Sequence, residues 1–284
     1  MKILLAGDST VADYPDNQRP MAGWGQMLRT VLPTATIPNF AQCGASTQSF
    51  KDTGRWAKLI AATDPGDLVL IQFGHNDQKP ENGVSRTMYR DNLVQMVHDV
   101  QERGGQPMLC TPTERRRVTA AGQYGQTLTD MTFIVKETAT ATNSYLIDLN
   151  GYSFAYYCYS HYGETPEATK ENFVWLKPGE NANYPAGHED NTHFSEAGAL
   201  VMARYVALRL RPWVNGETIY QNYYYGAATY PEVWDMATVT HDIAEMKKLH
   251  MNFTRIGEFM WSVLEPAEDQ FDFSFLETVL TLYA

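Results

Sequence analysis

The chain opens on Lys2-Ile3-Leu4-Leu5-Ala6-Gly7-Asp8-Ser9-Thr10, and this stretch constrains the fold more than any other. Four consecutive apolar residues suit a strand buried on both faces of a parallel sheet. The run stops at once in Gly-Asp-Ser-Thr. A serine there stands at the carboxyl end of a first strand, where open α/β sheets place their ligands. Gly7, without a Cβ, lets the chain turn sharply.

Later stretches repeat the theme. Thr36 to Phe40 is a second strand, with Pro38 suited to a sheet edge, and it runs into the turn Ala41 to Thr47 around Gly44. Asp67 to Phe73 is a third, ending in Gly74-His75-Asn76-Asp77. Pro107 to Thr111 and Tyr145 to Leu149 are the fourth and fifth. Helices are expected from Gly23 to Leu32, 55 to 62, around 88 to 100, 128 to 142 and 196 to 211, with Pro212 as the last stop. A long polar insertion covers 151 to 189. Strand and helix alternate throughout, so the expected class is α/β: a flavodoxin-like, three-layer α/β/α domain on a five-stranded parallel sheet over residues 1–212. Residues 213–216 read as a linker, and 217–284 as a second segment.

Charge narrows the function. The chain has 284 residues and a net charge of −11, which argues against nucleic acid or an anionic membrane as partner. The one basic run, Glu114-Arg115-Arg116-Arg117, reads as a solvated loop. The first strand begins at Lys2, which leaves no room for a leader, and Cys43, Cys110 and Cys158 are few and scattered. Both point to the cytoplasm.

The polar turns suit acyl transfer. Ser9 is a nucleophile if a base takes its proton. His193 is a candidate base, and Asp190, three residues earlier, can hold its imidazole. The N–H groups of Ser9 and Gly44 and the amide of Asn76 are candidate oxyanion donors. Each has a plain alternative: His193 a helix cap, Gly44 a turn glycine, Asn76 an Asx turn. His75 reads as structural. His188, Asp190 and His193 as metal ligands are the other option, without a supporting cluster elsewhere. No metal or cofactor is expected.

Taken together, Gly7-Asp8-Ser9-Thr10, the Gly44 turn, Gly74-x-Asn76-Asp77 and Asp190-x-x-His193 resemble the four blocks of the SGNH (GDSL-type) hydrolases, in order. Gly23-Trp24-Gly25, Thr111-Pro112 followed by Arg115-Arg116, and Asp190-Asn191-Thr192-His193-Phe194 resemble the rhamnogalacturonan acetylesterase branch. The resemblance implies Ser9 as nucleophile, His193 as base, Asp190 as its partner, and Ser9, Gly44 and Asn76 as the oxyanion hole. It implies removal of O-acetyl groups from plant polysaccharides or their oligosaccharides, without a metal. The family often carries arginine after the Gly44 turn, where this chain has Ala45. Trp175 and Tyr184 either stack on sugar rings or pack the insertion on the sheet. The alternatives are a lipase or thioesterase using the same triad, and a non-catalytic saccharide-binding module.

Residues 217–284 are similar to the opening of the family 42 β-galactosidases, through Tyr230-Pro231-Glu232-x-Trp234, Arg255 to Ser262 and Leu264-Glu265-Pro266. A strand is expected from Glu217 to Tyr225 and another from Asn252 to Ile256. Such a segment is too short to close a (β/α) barrel, which needs ~250 residues. No glycosidase activity is expected from it, and the rest of a galactosidase domain is the natural partner.

Overall fold

The computed structural model describes residues 1–159, 166–216 and 225–283. The chain divides into two compact units, Met1–Glu217 and Thr218–Ala284.

In the first unit, β1 (Ile3–Gly7), β2 (Leu68–Gln72), β3 (Gln106–Cys110) and β4 (Tyr145–Ile147) form a parallel sheet in the order β1-β2-β3-β4. Ile3 pairs with Leu68, Leu68 with Gln106, and Met108 with Tyr145. The apolar runs put both strand faces in the dry: all five residues of β1 and of β2 are buried. One face packs on α1 (Trp24–Val31), α6 (Leu149–Tyr159) and α7 (Glu196–Val214), and includes Leu5, Trp24, Met108, Tyr157 and Val206. The other packs on α2 (Thr47–Asp52), α3 (Arg55–Ala62), α4 (Arg86–Glu102) and α5 (Thr129–Ala141), through Leu4, Phe50, Leu59, Val97 and Ile134. The core is therefore the expected three-layer sandwich.

The sheet has four strands among the described residues, not five. Residues 36–40 do run along β1: Ile3 N–H donates to Thr36 O (2.9 Å), Leu5 N–H to Pro38 O (3.0 Å) and Phe40 N–H to Leu5 O (2.9 Å). The bond missing from this series is the one residue 38 would donate, and proline has no N–H. The expected strand is reduced to two isolated bridges, Lys2 to Thr36 and Leu5 to Asn39.

Two further expectations change. The 151–189 insertion is partly regular. Its start belongs to α6, and β5 (Phe173–Leu176) pairs antiparallel with β6 (His188–Phe194). Helix α7 also runs through Pro212 to Val214. Trp213 then packs edge-on against Tyr145 at 4.6 Å between ring centroids, so the expected linker begins inside this unit.

In the second unit β7 (Gly226–Ala228) and β8 (Phe253–Arg255) pair in parallel, joined by α8 (Met236–Lys248), and α9 (Trp261–Leu264) and α10 (Ser274–Tyr283) follow. Asp235 caps α8 by accepting from Thr238 N–H at 2.9 Å. Val239, Ile243 and Val279 are its buried apolar residues along α8 and α10. This is one parallel β-α-β unit. The strand expected over 217–225 lies outside the described residues except for Tyr225.

Candidate active site

Gly7 ends β1 where no side chain fits. A Cβ there would lie 2.5 Å from Val11 Cγ2 and 3.0 Å from Gln72 O. The turn that follows is held from several sides. Asp8 is fully buried and accepts from Thr10 N–H (2.9 Å) and Thr10 Oγ1 (2.8 Å). Tyr14 Oη donates to Ser9 O at 2.8 Å. Ser9 itself is 7% exposed, enough for its hydroxyl to face the rim of the sheet.

His193 reaches that hydroxyl. Its Nε2 lies 3.0 Å from Ser9 Oγ, and its Nδ1 lies 2.7 Å from Asp190 Oδ2. The hairpin geometry makes this contact possible. Between the pairs Phe173–Phe194 and Trp175–Glu189, β5 advances by two residues while β6 advances by five. The surplus bulges at 190–193, as extra residues in one strand do. Asp190 closes the bulge on itself, its Oδ1 accepting from Thr192 N–H (2.6 Å) and His193 N–H (2.9 Å). Burial works against the charge on Asp190, but His193 and the Thr192 amide hold its carboxyl well below the ordinary range. Asp190 is therefore ionised and accepts from Nδ1–H. That leaves Nε2 as the acceptor for the serine proton.

Across the rim, Asn76 is 4% exposed and oriented at both ends. Lys79 Nζ donates to its Oδ1 at 2.9 Å, and its Nδ2 donates to Ala45 O at 3.0 Å. The amide nitrogen therefore faces the turn that carries Gly44, whose φ of +78° favours glycine. That turn is tied to β1 by Gln42 N–H donating to Gly7 O at 3.0 Å. The two loops also meet beneath the surface: His75 Nδ1 lies 3.0 Å from Asp8 Oδ2 and His75 Nε2 lies 2.9 Å from Thr113 O. Both ring nitrogens of His75 are thus engaged beneath the surface, one by the Asp8 carboxyl and one by a main-chain carbonyl. Burial opposes the Asp8 charge, yet His75 and Thr10 hold its carboxyl below the ordinary value. Asp77, in contrast, is pushed up to about 6 by burial, even though Thr47 donates to it twice.

Replacing Asn76 by alanine removes one oriented donor. We expect kcat on an acetyl ester to fall by ~10²–10³-fold with KM nearly unchanged. A rise in KM at constant kcat would instead make Asn76 a substrate-binding group.

The basic run is not a solvated loop. Glu114 and Arg116 are buried, at 1% and 7% exposure. Glu114 is closed off by Thr127 and by Asn150 Nδ2 (3.2 Å). Arg116 N–H donates to Asn191 O (2.8 Å), and its guanidinium reaches Asn191 Oδ1 (3.1 Å), Thr169 Oγ1 (3.1 Å) and Pro166 O (2.8 Å). Arg116 thus braces the bulge that carries Asp190 and His193. A run of like charges gave no sign of this, because its partners at 166–191 lie far along the chain.

Tyr184 docks the insertion on the loop after β1, its Oη donating to Gln18 O at 2.8 Å. Trp175 lies under cations, with Lys170 Nζ 3.8 Å and Arg116 Cζ 5.6 Å from its ring centre. His188 Nε2 stands 3.6 Å from Asp190 Oδ2, beyond hydrogen-bond reach. Among the described residues no group of three or more His, Cys, Asp or Glu is disposed to hold a metal ion.

Residues 5–201 match the model of the GDSL-like lipase/acylhydrolase family. The chain belongs to this family. It is 40% identical over 208 residues to the rhamnogalacturonan acetylesterase RhgT of Bacillus subtilis, covering 73% of this chain and 88% of that protein. The crystal structure of the B. subtilis protein YxiM superposes with a TM-score of 0.64 at 29% identity, over 76% of this chain and 58% of that one. Residues 228–284 match the beta-galactosidase family model. There the chain is 46% identical to the B. subtilis beta-galactosidase YesZ over 57 residues, which span 20% of this chain and only 9% of YesZ.

Proposed function

We propose that the chain is a serine carboxylic ester hydrolase that removes O-acetyl groups from acetylated plant-derived oligosaccharides of the rhamnogalacturonan type. The observation that carries the reading is the continuous line Ser9–His193–Asp190, at 3.0 and 2.7 Å, in a chain so similar to an acetylesterase.

Ser9 Oγ attacks the acetyl carbonyl carbon while His193 Nε2 takes the hydroxyl proton. The carbonyl oxygen becomes an oxyanion facing the N–H groups of Ser9 and Gly44 and Nδ2 of Asn76. The intermediate collapses as the imidazolium hands its proton to the departing sugar oxygen, leaving acetyl-Ser9. A water then loses its proton to His193, attacks the acetyl group, and acetate leaves as Ser9 Oγ regains the proton. Asp190 remains ionised throughout and stabilises the imidazolium. The intact triad favours an enzyme over a saccharide-binding module. The adjoining grooves, lined by Arg115, Arg117, Thr127 and Lys170, suit a sugar better than a long acyl chain.

The three cysteines are free, which supports a reducing compartment, the cytoplasm. Among the described residues no helix is long and apolar enough to cross a membrane. The parallel β-α-β unit at 226–255 supports reading the second unit as the opening of a galactosidase-like barrel, whose remainder would be a partner domain.

Acetate release from acetylated pectic and xylan oligosaccharides, beside hydrolysis of p-nitrophenyl acetate and dodecanoate, tests the reading. Acetate is expected from the pectic series, with little turnover of the dodecanoate ester. Rapid dodecanoate hydrolysis without acetate release from any sugar would return the lipase reading.

A further inference from the structure

Beside the Asn76 loop and the 190–193 bulge stand two arginines that the triad does not use. Arg115 and Arg117 line two adjoining grooves, of about 580 and 460 Å3. One groove also borders Asp77, next to Asn76, and the other borders Asn191, next to Asp190. Both volumes fall in the range of small-ligand sites, roughly 300–1,000 Å3. Each groove comes within one residue of the site, at Asp77 or Asn191, and is lined by both guanidinium groups.

The charge on this ridge runs against the rest of the molecule, which carries −11 overall. It is also poorly neutralised. Arg115 is half-buried and meets neutral oxygens: Thr127 Oγ1 and His75 O, each at 3.3 Å. Burial pulls its pKa down from the ordinary guanidinium value, against the pull of Glu114 and Asp8. Arg117 is exposed. Among the described residues neither arginine has a carboxylate within ion-pair distance, whereas nearby Arg86 pairs with Asp130 and Lys170 with Glu167. The nearer groove adds Lys170 over the Trp175 ring, a flat apolar surface backed by a cation. A planar, forked guanidinium matches a carboxylate, and an aromatic ring matches a pyranose face.

Resting on the acetylesterase reading, we propose that Arg115 and Arg117 form a carboxylate-reading subsite, so that the enzyme selects acetylated oligosaccharides carrying free uronic acids over neutral ones. Arg115 is the partly preformed element, and Arg117 closes on the carboxylate from the solvent side.

The test compares one acetylated galacturonate-containing oligosaccharide as the free acid with its methyl ester, reading acetate release. The two differ in the charge of the carboxyl and in one methyl group. The wild type is expected to show about tenfold higher kcat/KM on the free acid, the size of one charge-assisted contact. Added salt should erode that ratio, since the contact is partly exposed. Arg117→Gln should bring the ratio toward one through KM on the free acid, with kcat little changed. Equal kcat/KM on the two forms in the wild type, or an unchanged ratio in Arg117→Gln, overturns the subsite while leaving the esterase intact. No acetate from either form, with p-nitrophenyl acetate still hydrolysed by the wild type, overturns the carbohydrate reading and the subsite with it.

Discussion

Alanine at Ser9 is expected to lower kcat on every acetyl ester by ~10⁴-fold or more. The hydroxyl oxygen is the only heavy atom lost, and its hydrogen bond is to His193 Nε2. The turn around it does not depend on that bond. Asp8, Thr10 and the Tyr14 hydroxyl hold the backbone in place. The variant should therefore unfold within about 1 kcal/mol of the wild type. Single-turnover acetate release and a urea midpoint measure both quantities on the same sample. His193→Ala should cost nearly as much as Ser9→Ala, and the double variant little more, because the groups act as a unit. Additive losses would show two independent roles. Undiminished acetate release from Ser9→Ala would end the mechanism.

The parts of the fold legible from sequence were those with one dominant physical signal. The runs Ile3–Ala6 and Leu68–Ile71 bury both strand faces, and the order of such runs determined the parallel sandwich. The failures came where the signal was mixed. Residues 36–40 have a strand's path but lack the N–H that Pro38 cannot supply. Helix α6 buries Asn150, Ser153 and Tyr157 beside Leu149, so its inner face carries no apolar stripe to read. Pro212 sits in the last turn of α7, where the helix continues without it donating.

The candidate site was legible for a different reason. Ser9, Asn76, Asp190 and His193 lie in short words whose residue types serve one chemistry, and parallel strand order places two of those words on one sheet rim. What lies behind the words was not legible. Arg116 braces the 190–193 bulge only because β5 and β6 differ by three residues between two pairs. Lys79 orients the Asn76 amide across a turn. These depend on side-chain partners brought together from distant loops, and residue type alone does not name them.

The buried pair beneath the site carries the second large effect. His75→Ala is expected to cost about 3–5 kcal/mol, the usual penalty for stripping a buried carboxylate of its partner. Asp8 is 0% exposed and would keep only the two Thr10 donors. The pH dependence follows from the same residue. In the wild type the folded Asp8 carboxyl lies below its ordinary value of 3.8. Its contribution is complete above that value and is lost as pH falls through the lower, folded one. Without His75, burial dominates and raises the folded value above the ordinary one. The sign then reverses, and the variant loses stability as pH rises from about 4 toward neutrality. Urea midpoints at several pH values, with the slope m as a check on two-state behaviour, measure this. The gap between wild type and variant should widen with pH, and a constant gap would mean that His75 acts by packing alone. Adding Asp8→Asn to His75→Ala should restore part of the loss at neutral pH, since it removes the stranded charge. Because Asp8 precedes Ser9 and His75 precedes Asn76, the pair also ties the proposed nucleophile to the proposed oxyanion donor. The charge-neutral double variant should then regain part of the stability without regaining kcat, separating the cost of a buried charge from the alignment that the pair imposes.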